Sequence, residues 1–201
     1  MIICRNPSKI LDSISRMQRD NARKELSEIY KGKLLEFSYP TAGNKDSKVV
    51  VVEFFDYAYG YCRKMEDDVK QLIADGTVKY VFRDLPVLGD NSLRAARAAL
   101  AVHFIDSNKY LDFYDAALSY NGSLSDDAIY EIVKNIGIDS SNFDDSLSKN
   151  AGEIDVMIRK SSELANNLGI NGIPVTVIGD NLFVGATGYA KLHSEINKLT
   201  N

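Results

Sequence analysis

Cys62 is the side chain in this sequence with the clearest capacity for chemistry, and it lies in the run Glu53-Phe54-Phe55-Asp56-Tyr57-Ala58-Tyr59-Gly60-Tyr61-Cys62-Arg63-Lys64. A thiol reacts as its thiolate, so positive charge or a helix N-terminus would activate it and apolar burial would silence it. Arg63 and Lys64 offer charge, but successive helical residues point to different faces. A free cysteine is also among the most buried residue types and then acts as a small apolar group. Glu53 is either a strand-end carboxylate facing solvent or a buried acid, and its apolar neighbours from Val49 to Phe55 favour burial. Tyr57, Tyr59 and Tyr61 form either an exposed aromatic patch for extended polypeptide or packing around a helix start.

Other reactive types are sparse. Cys4 is the second of two cysteines, too few for a disulfide framework, and His103 and His193 give no metal-ligand spacing. No metal and no cofactor are therefore expected. Pro174 can take a cis bond, because X–Pro is the linkage where cis costs little, but its spacing alone better fits an ordinary loop proline before a strand.

These residues need elements to hold them. Pro40 to Ser47 reads as a turn leading into the strand Lys48 to Phe55, whose β-branched and aromatic run suits burial on both faces. A helix from Gly60 to Ile73 and a strand from Val78 to Phe82 follow, implying a crossover and parallel pairing. The middle is helical: Ser92 to Asp106 with Asn91 as its cap, Tyr110 to Leu118, Ser125 to Ile136, Phe143 to Leu147 and Glu153 to Asn167, punctuated by Gly122, Gly137 and Gly152. Strands return at Val175 to Ile178 and Leu182 to Val184 around a tight Gly179-Asp180-Asn181 turn, and a helix closes the chain from Tyr189 to Leu199. Ahead of all this, Asn6-Pro7 reads as the start of a helical arm with a thin stripe of Ile10, Leu11, Ile14 and Met17, then Leu26, Ile29, Tyr30 and Leu34. Such an arm can dock on its own domain or pair with the same arm of another subunit.

A length of 201 residues suits one core with an appendage. Acidic and basic residues are dispersed and the net charge is -4, which excludes nucleic acid and anionic lipid as partners. No apolar run approaches the roughly 20 residues of a membrane span. Met1-Ile2-Ile3-Cys4-Arg5 lacks the features of a secretory signal.

The strand-to-helix run from Glu53 to Lys64 resembles the DsbA-like thiol–disulfide exchange proteins, in which such a strand leads to the motif C-G-Y-C-K. Further matches follow in order. They are Arg83-Asp84-Leu85-Pro86-Val87-Leu88-Gly89 with Ser92, then Gly169-Ile170-Asn171-Gly172-Ile173-Pro174, and Gly185-Ala186 before Gly188-Tyr189. Asn6-Pro7 and the arm resemble the leading segment of members that assemble through it. The resemblance implies an α/β, thioredoxin-like fold with an inserted helical subdomain and an N-terminal helical arm. Its parts would be an arm over 1–36, thioredoxin-like segments over 37–87 and 169–201, and a helical insertion over 88–168.

Carried over residue by residue, the resemblance places Tyr59 at the nucleophilic first cysteine and Cys62 at the second, which resolves mixed disulfides. A phenol with a pKa of about 10 cannot replace the missing thiol. Glu53 matches the buried acid that serves the second cysteine, so the implied catalytic pair is Cys62 and Glu53. The implied polypeptide-binding residues are Tyr59, Gly60, Tyr61, Ile173 and Pro174, with Pro174 cis and Ile173 pairing with an extended segment.

The resulting expectation is a redox-degenerate, exported family member, periplasmic in type, that binds client polypeptides and has a redox partner protein and an arm able to build a homo-oligomer. The alternative is an active oxidoreductase or isomerase using Cys62 with a cysteine from elsewhere, such as Cys4 of another subunit. A third reading makes the arm the working part of an assembly protein.

Overall fold

The structure, a computed structural model, describes residues 39–200. The expected arm over 1–36 and Cys4 lie outside the described residues.

Among the described residues the chain forms β1 (Thr41–Gly43), β2 (Val50–Phe55), α1 (Gly60–Arg63), α2 (Glu66–Ala74), β3 (Lys79–Asp84), α3 (Asp90–Ile105), a 3-10 turn (Ser107–Lys109), α4 (Tyr110–Ser119), α5 (Asp126–Asn135), α6 (Ser140–Lys149), α7 (Ala151–Asn167), β4 (Val175–Ile178), β5 (Asn181–Val184) and α8 (Tyr189–Thr200). The five strands make one mixed sheet in the order β1-β3-β2-β4-β5. β2 and β3 run parallel, whereas β1, β4 and β5 pair antiparallel to their neighbours. The fold is thioredoxin-like, with the chain helical between β3 and β4.

β2 is central because its Val, Glu and Phe side chains are buried on both faces from Val51 onward. Beneath it, Phe82 of β3 meets the rings of Tyr114, Tyr80 and Tyr110 at centroid distances of 4.9, 5.1 and 5.2 Å. Each buried ring of this kind contributes roughly 2–3 kcal/mol by leaving water.

Several local expectations are corrected. Pro40 to Ser47 contains the short strand β1, which pairs with β3 over Thr41↔Val81 to Gly43↔Lys79. Gly43 permits this approach: its φ is +80°, and a Cβ there would stand 2.6 Å from the Val78 carbonyl oxygen. The helix expected from Gly60 to Ile73 is broken between α1 and α2. The amides of Cys62 and Met65 bond three residues back, to Tyr59 and Cys62, which tightens this turn and sends Met65 into the core. Asn91 lies within α3 and bonds Ser123 instead of capping; Gly89 occupies the N-cap. Gly152 is inside α7 rather than between helices.

The strand registers gather four segments at one end of the sheet. Phe55 is level with Asp84, Phe54 with Val175, and Val175 with Val184. The stretches after β2, after β3, before β4 and after β5 therefore all emerge together.

Candidate functional site

Cys62 lies in the first turn after β2, with Tyr59 as the extended N-cap of α1. Its side chain is fully buried. The Asp56 main-chain N–H points at Sγ from 3.5 Å. Burial pushes the thiol well above its ordinary pKa; the Asp56 N–H opposes this, and the negative charges of Glu53 and Asp56 add to the rise. Cys62 is the single cysteine among the described residues, and it is free. The geometry thus offers a shielded, protonated thiol rather than a ready nucleophile.

Glu53 is fully buried on β2. Tyr80 and Tyr114 both donate to its Oε2 at 3.2 Å. Burial raises its pKa to about 7, the tyrosine bonds resist that rise, and the charge of Asp84 adds to it. Oε1 has no hydrogen-bond partner among the described residues, nor has Oγ1 of Thr176, the residue level with Glu53 on β4. The side chain is therefore placed to carry a proton near neutral pH, close enough to Cys62 for its charge to act on the thiol.

The three tyrosines of the segment part company. Tyr57 is a core residue, not part of an exposed patch: its ring meets Phe55 edge-on at 5.0 Å and Phe113 at 5.9 Å, and its hydroxyl bonds Tyr110 at 3.2 Å. Tyr59 is half-buried against the core, and Tyr61 is 53% exposed with its ring centroid 5.6 Å from that of Tyr59. Lys64 Nζ sits 4.8 Å over the Tyr61 ring, and Arg63 donates to the Tyr120 carbonyl at 2.8 Å, so neither cation is directed at the sulfur. Gly60 is exposed in α1.

On the other side of β2, the Ile173–Pro174 peptide bond is cis. The β4 ladder begins at Val175, which leaves Ile173 just beyond it, half-buried at the same end of the sheet as Tyr59. The Pro174 carbonyl accepts from Gly185 N–H at 2.8 Å, fixing the loop to the end of β5. Glu53, Tyr59, Gly60, Tyr61, Cys62, Ile173 and Pro174 thus fall in one region, with Glu53 and Cys62 beneath its surface.

Sequence reasoning gave no role to two buried acids. Asp56 accepts from Ala58 N–H at 2.8 Å through Oδ1, and from Val87 N–H at 2.8 Å and Leu88 N–H at 3.1 Å through Oδ2. The bond to the amide two residues on is an Asx turn, a signal readable from an Asp before a chain reversal. Asp84 ends β3 in the core, accepts from Tyr110 at 3.2 Å, and is pushed up to about 7 by burial.

The DSBA-like thioredoxin domain model matches residues 50–197. The chain is similar to the thiol-disulfide exchange protein alpha-DsbA2 from Wolbachia pipientis, with 48% identity and a TM-score of 0.88 over 90% of this chain and 98% of that one. It is 29% identical to the probable disulfide bond formation protein D of Bacillus anthracis, over 73% of each chain. It also matches the Na(+)/H(+) antiporter NhaA 1 of Salinispora arenicola at 26% identity over 66% of this chain, and spans 20% of that protein's length. With β2 to β5 and most of α8 inside the matched region, the chain belongs to the family of DSBA-like thioredoxin domains.

Proposed function

We propose that this chain binds extended or unfolded polypeptide at the end of the sheet beside Ile173 and Pro174, and that it does so without the dithiol cycle of its exchange-protein relatives. The burial of Cys62 carries this reading. A dithiol cycle needs an accessible sulfur at the helix start, and the residue there, Tyr59, has a phenol that forms no disulfide. The binding part is supported by Ile173, whose position beyond the β4 ladder leaves main chain for an incoming strand to pair with. Burial then keeps Cys62 protonated, with the charge of the buried acid Glu53 adding to the effect, and Gly60 and Tyr61 contribute exposed surface next to the bound segment. By family, the protein works outside the cytoplasm as an exported, periplasmic type. Residues 37–87 and 169–201 form its thioredoxin-like unit and 88–168 its inserted helices.

Two assays on the full chain test this together. Fluorescence anisotropy with reduced, carboxymethylated lactalbumin should show saturable binding, and insulin reduction by dithiothreitol should proceed at the rate of the protein-free control. Vigorous insulin turnover, or no binding of the unfolded probe, overturns the proposal.

A further inference from the structure

We infer that Val87 and Leu88 form a second contact of the polypeptide site, selecting an apolar side chain of the bound segment, and that Asp56 is the positioning residue that holds them there. This rests on the polypeptide-binding reading above and adds to it a substrate preference.

Val87 and Leu88 are 57% and 50% exposed, placing them among the most exposed large apolar side chains of the described residues. Isolated exposed apolar residues are ordinary on protein surfaces. These two differ in being neighbours outside any helix or strand whose backbone is nevertheless fixed, by a buried side chain, while their own side chains stay in solvent. Both of their amides donate to one oxygen of Asp56, a carboxylate that is 1% exposed, and the other oxygen of that carboxylate takes the Ala58 amide. One buried side chain thus ties the Val87-Leu88 loop to the approach to α1, where Tyr59 and Tyr61 lie. A loop ordered in advance loses little freedom on binding, which raises its contribution per contact.

Sheet order gives the direction. β2 lies between β3 and β4, so the loop after β3 and the Ile173–Pro174 loop before β4 flank the start of α1 on opposite sides. β3 and β4 are two strand spacings apart, about 10 Å, which an extended chain covers in about three residues. A segment pairing with Ile173 and running across Tyr59 and Gly60 therefore brings a side chain about three residues along to Val87 and Leu88. That side chain should be aliphatic or aromatic.

The test uses the full chain and two Gly/Ser-based ten-residue peptides, one with a single Leu and one with a second Leu three positions away. Wild type is expected to bind the two-Leu peptide about tenfold more tightly, the scale expected for burying one more aliphatic side chain. In Val87→Ser/Leu88→Ser that preference should vanish while single-Leu binding persists. Asp56→Ala should lose most of the preference, and adding it to the Ser pair should cost nothing further. That non-additivity separates positioning from general destabilisation. If Asp56→Ala does not fold, the Ser pair, which alters exposed side chains, still decides the question. A preference that survives in the Ser pair overturns this inference and leaves the polypeptide reading intact. Failure of wild type to bind either peptide or the unfolded probe overturns both.

Discussion

Tyr114 donates to Glu53 Oε2 from 3.2 Å, joining α4 of the helical region to the central strand across 61 residues of sequence. The bond couples packing of the two layers to the ionisation of a buried acid. It favours the charged form of Glu53 and so holds its pKa below where burial alone would put it.

Stability should therefore fall as pH rises from about 4 to about 7. Glu53 and Asp84 are both raised to about 7 from ordinary values of 4.5 and 3.8. An acid whose pKa is raised by folding stabilises the fold fully below its unfolded pKa and loses that contribution as pH passes through the folded value. Glu53 alone should contribute roughly 3 kcal/mol of this loss. Urea denaturation at pH 4.5 and pH 7.5 measures it. Glu53→Gln should remove its share of the slope and leave that of Asp84, and a stability that climbs across this window would be inconsistent with a buried acid pair.

Tyr114→Phe removes a bond that stabilises the Glu53 carboxylate. The expected cost is about 1–2 kcal/mol at neutral pH, with the fall in stability extending to higher pH. Matching losses at pH 4.5 and pH 7.5 would mean that the hydroxyl does not influence Glu53.

Phe82→Ala should open a large hole in the aromatic core. Phe82 is fully buried and lies against Tyr80, Tyr110 and Tyr114, with Phe55 at 6.3 Å. Loss of the ring and the resulting cavity should cost about 3–5 kcal/mol in chemical denaturation. A loss under about 1 kcal/mol would imply that the surrounding tyrosines collapse into the space.

The sequence disclosed what depends on local pattern. Val50 to Phe55 is legible as a buried strand because a run of β-branched and aromatic residues has few other uses, and Glu53 inherits its burial from that run. Features set by distant partners were not legible. β1 exists because Gly43 lets its backbone approach Val78, and three residues carry no periodicity of their own. The break after α1 follows from the burial of Met65 and from Glu66, whose carboxylate takes the Ser119 hydroxyl at 2.8 and 2.9 Å. Asp84 looks like a polar strand end until Tyr110, 26 residues away, is brought to it. Tyr57 and Tyr61 are alike in the one-dimensional pattern, and only the ring contacts of Phe55 and Phe113 send the first inward.

The reactivity of Cys62 in the native chain bears most directly on the central claim. Alkylation by iodoacetamide, followed by peptide mass spectrometry at Cys62 from pH 6 to pH 9, should be far slower than for a free thiol of pKa about 8.5, and should accelerate sharply in denaturant. Rapid modification with an inflection below pH 7 would reveal an accessible thiolate, and the reading of a silenced sulfur beneath a binding surface would be wrong.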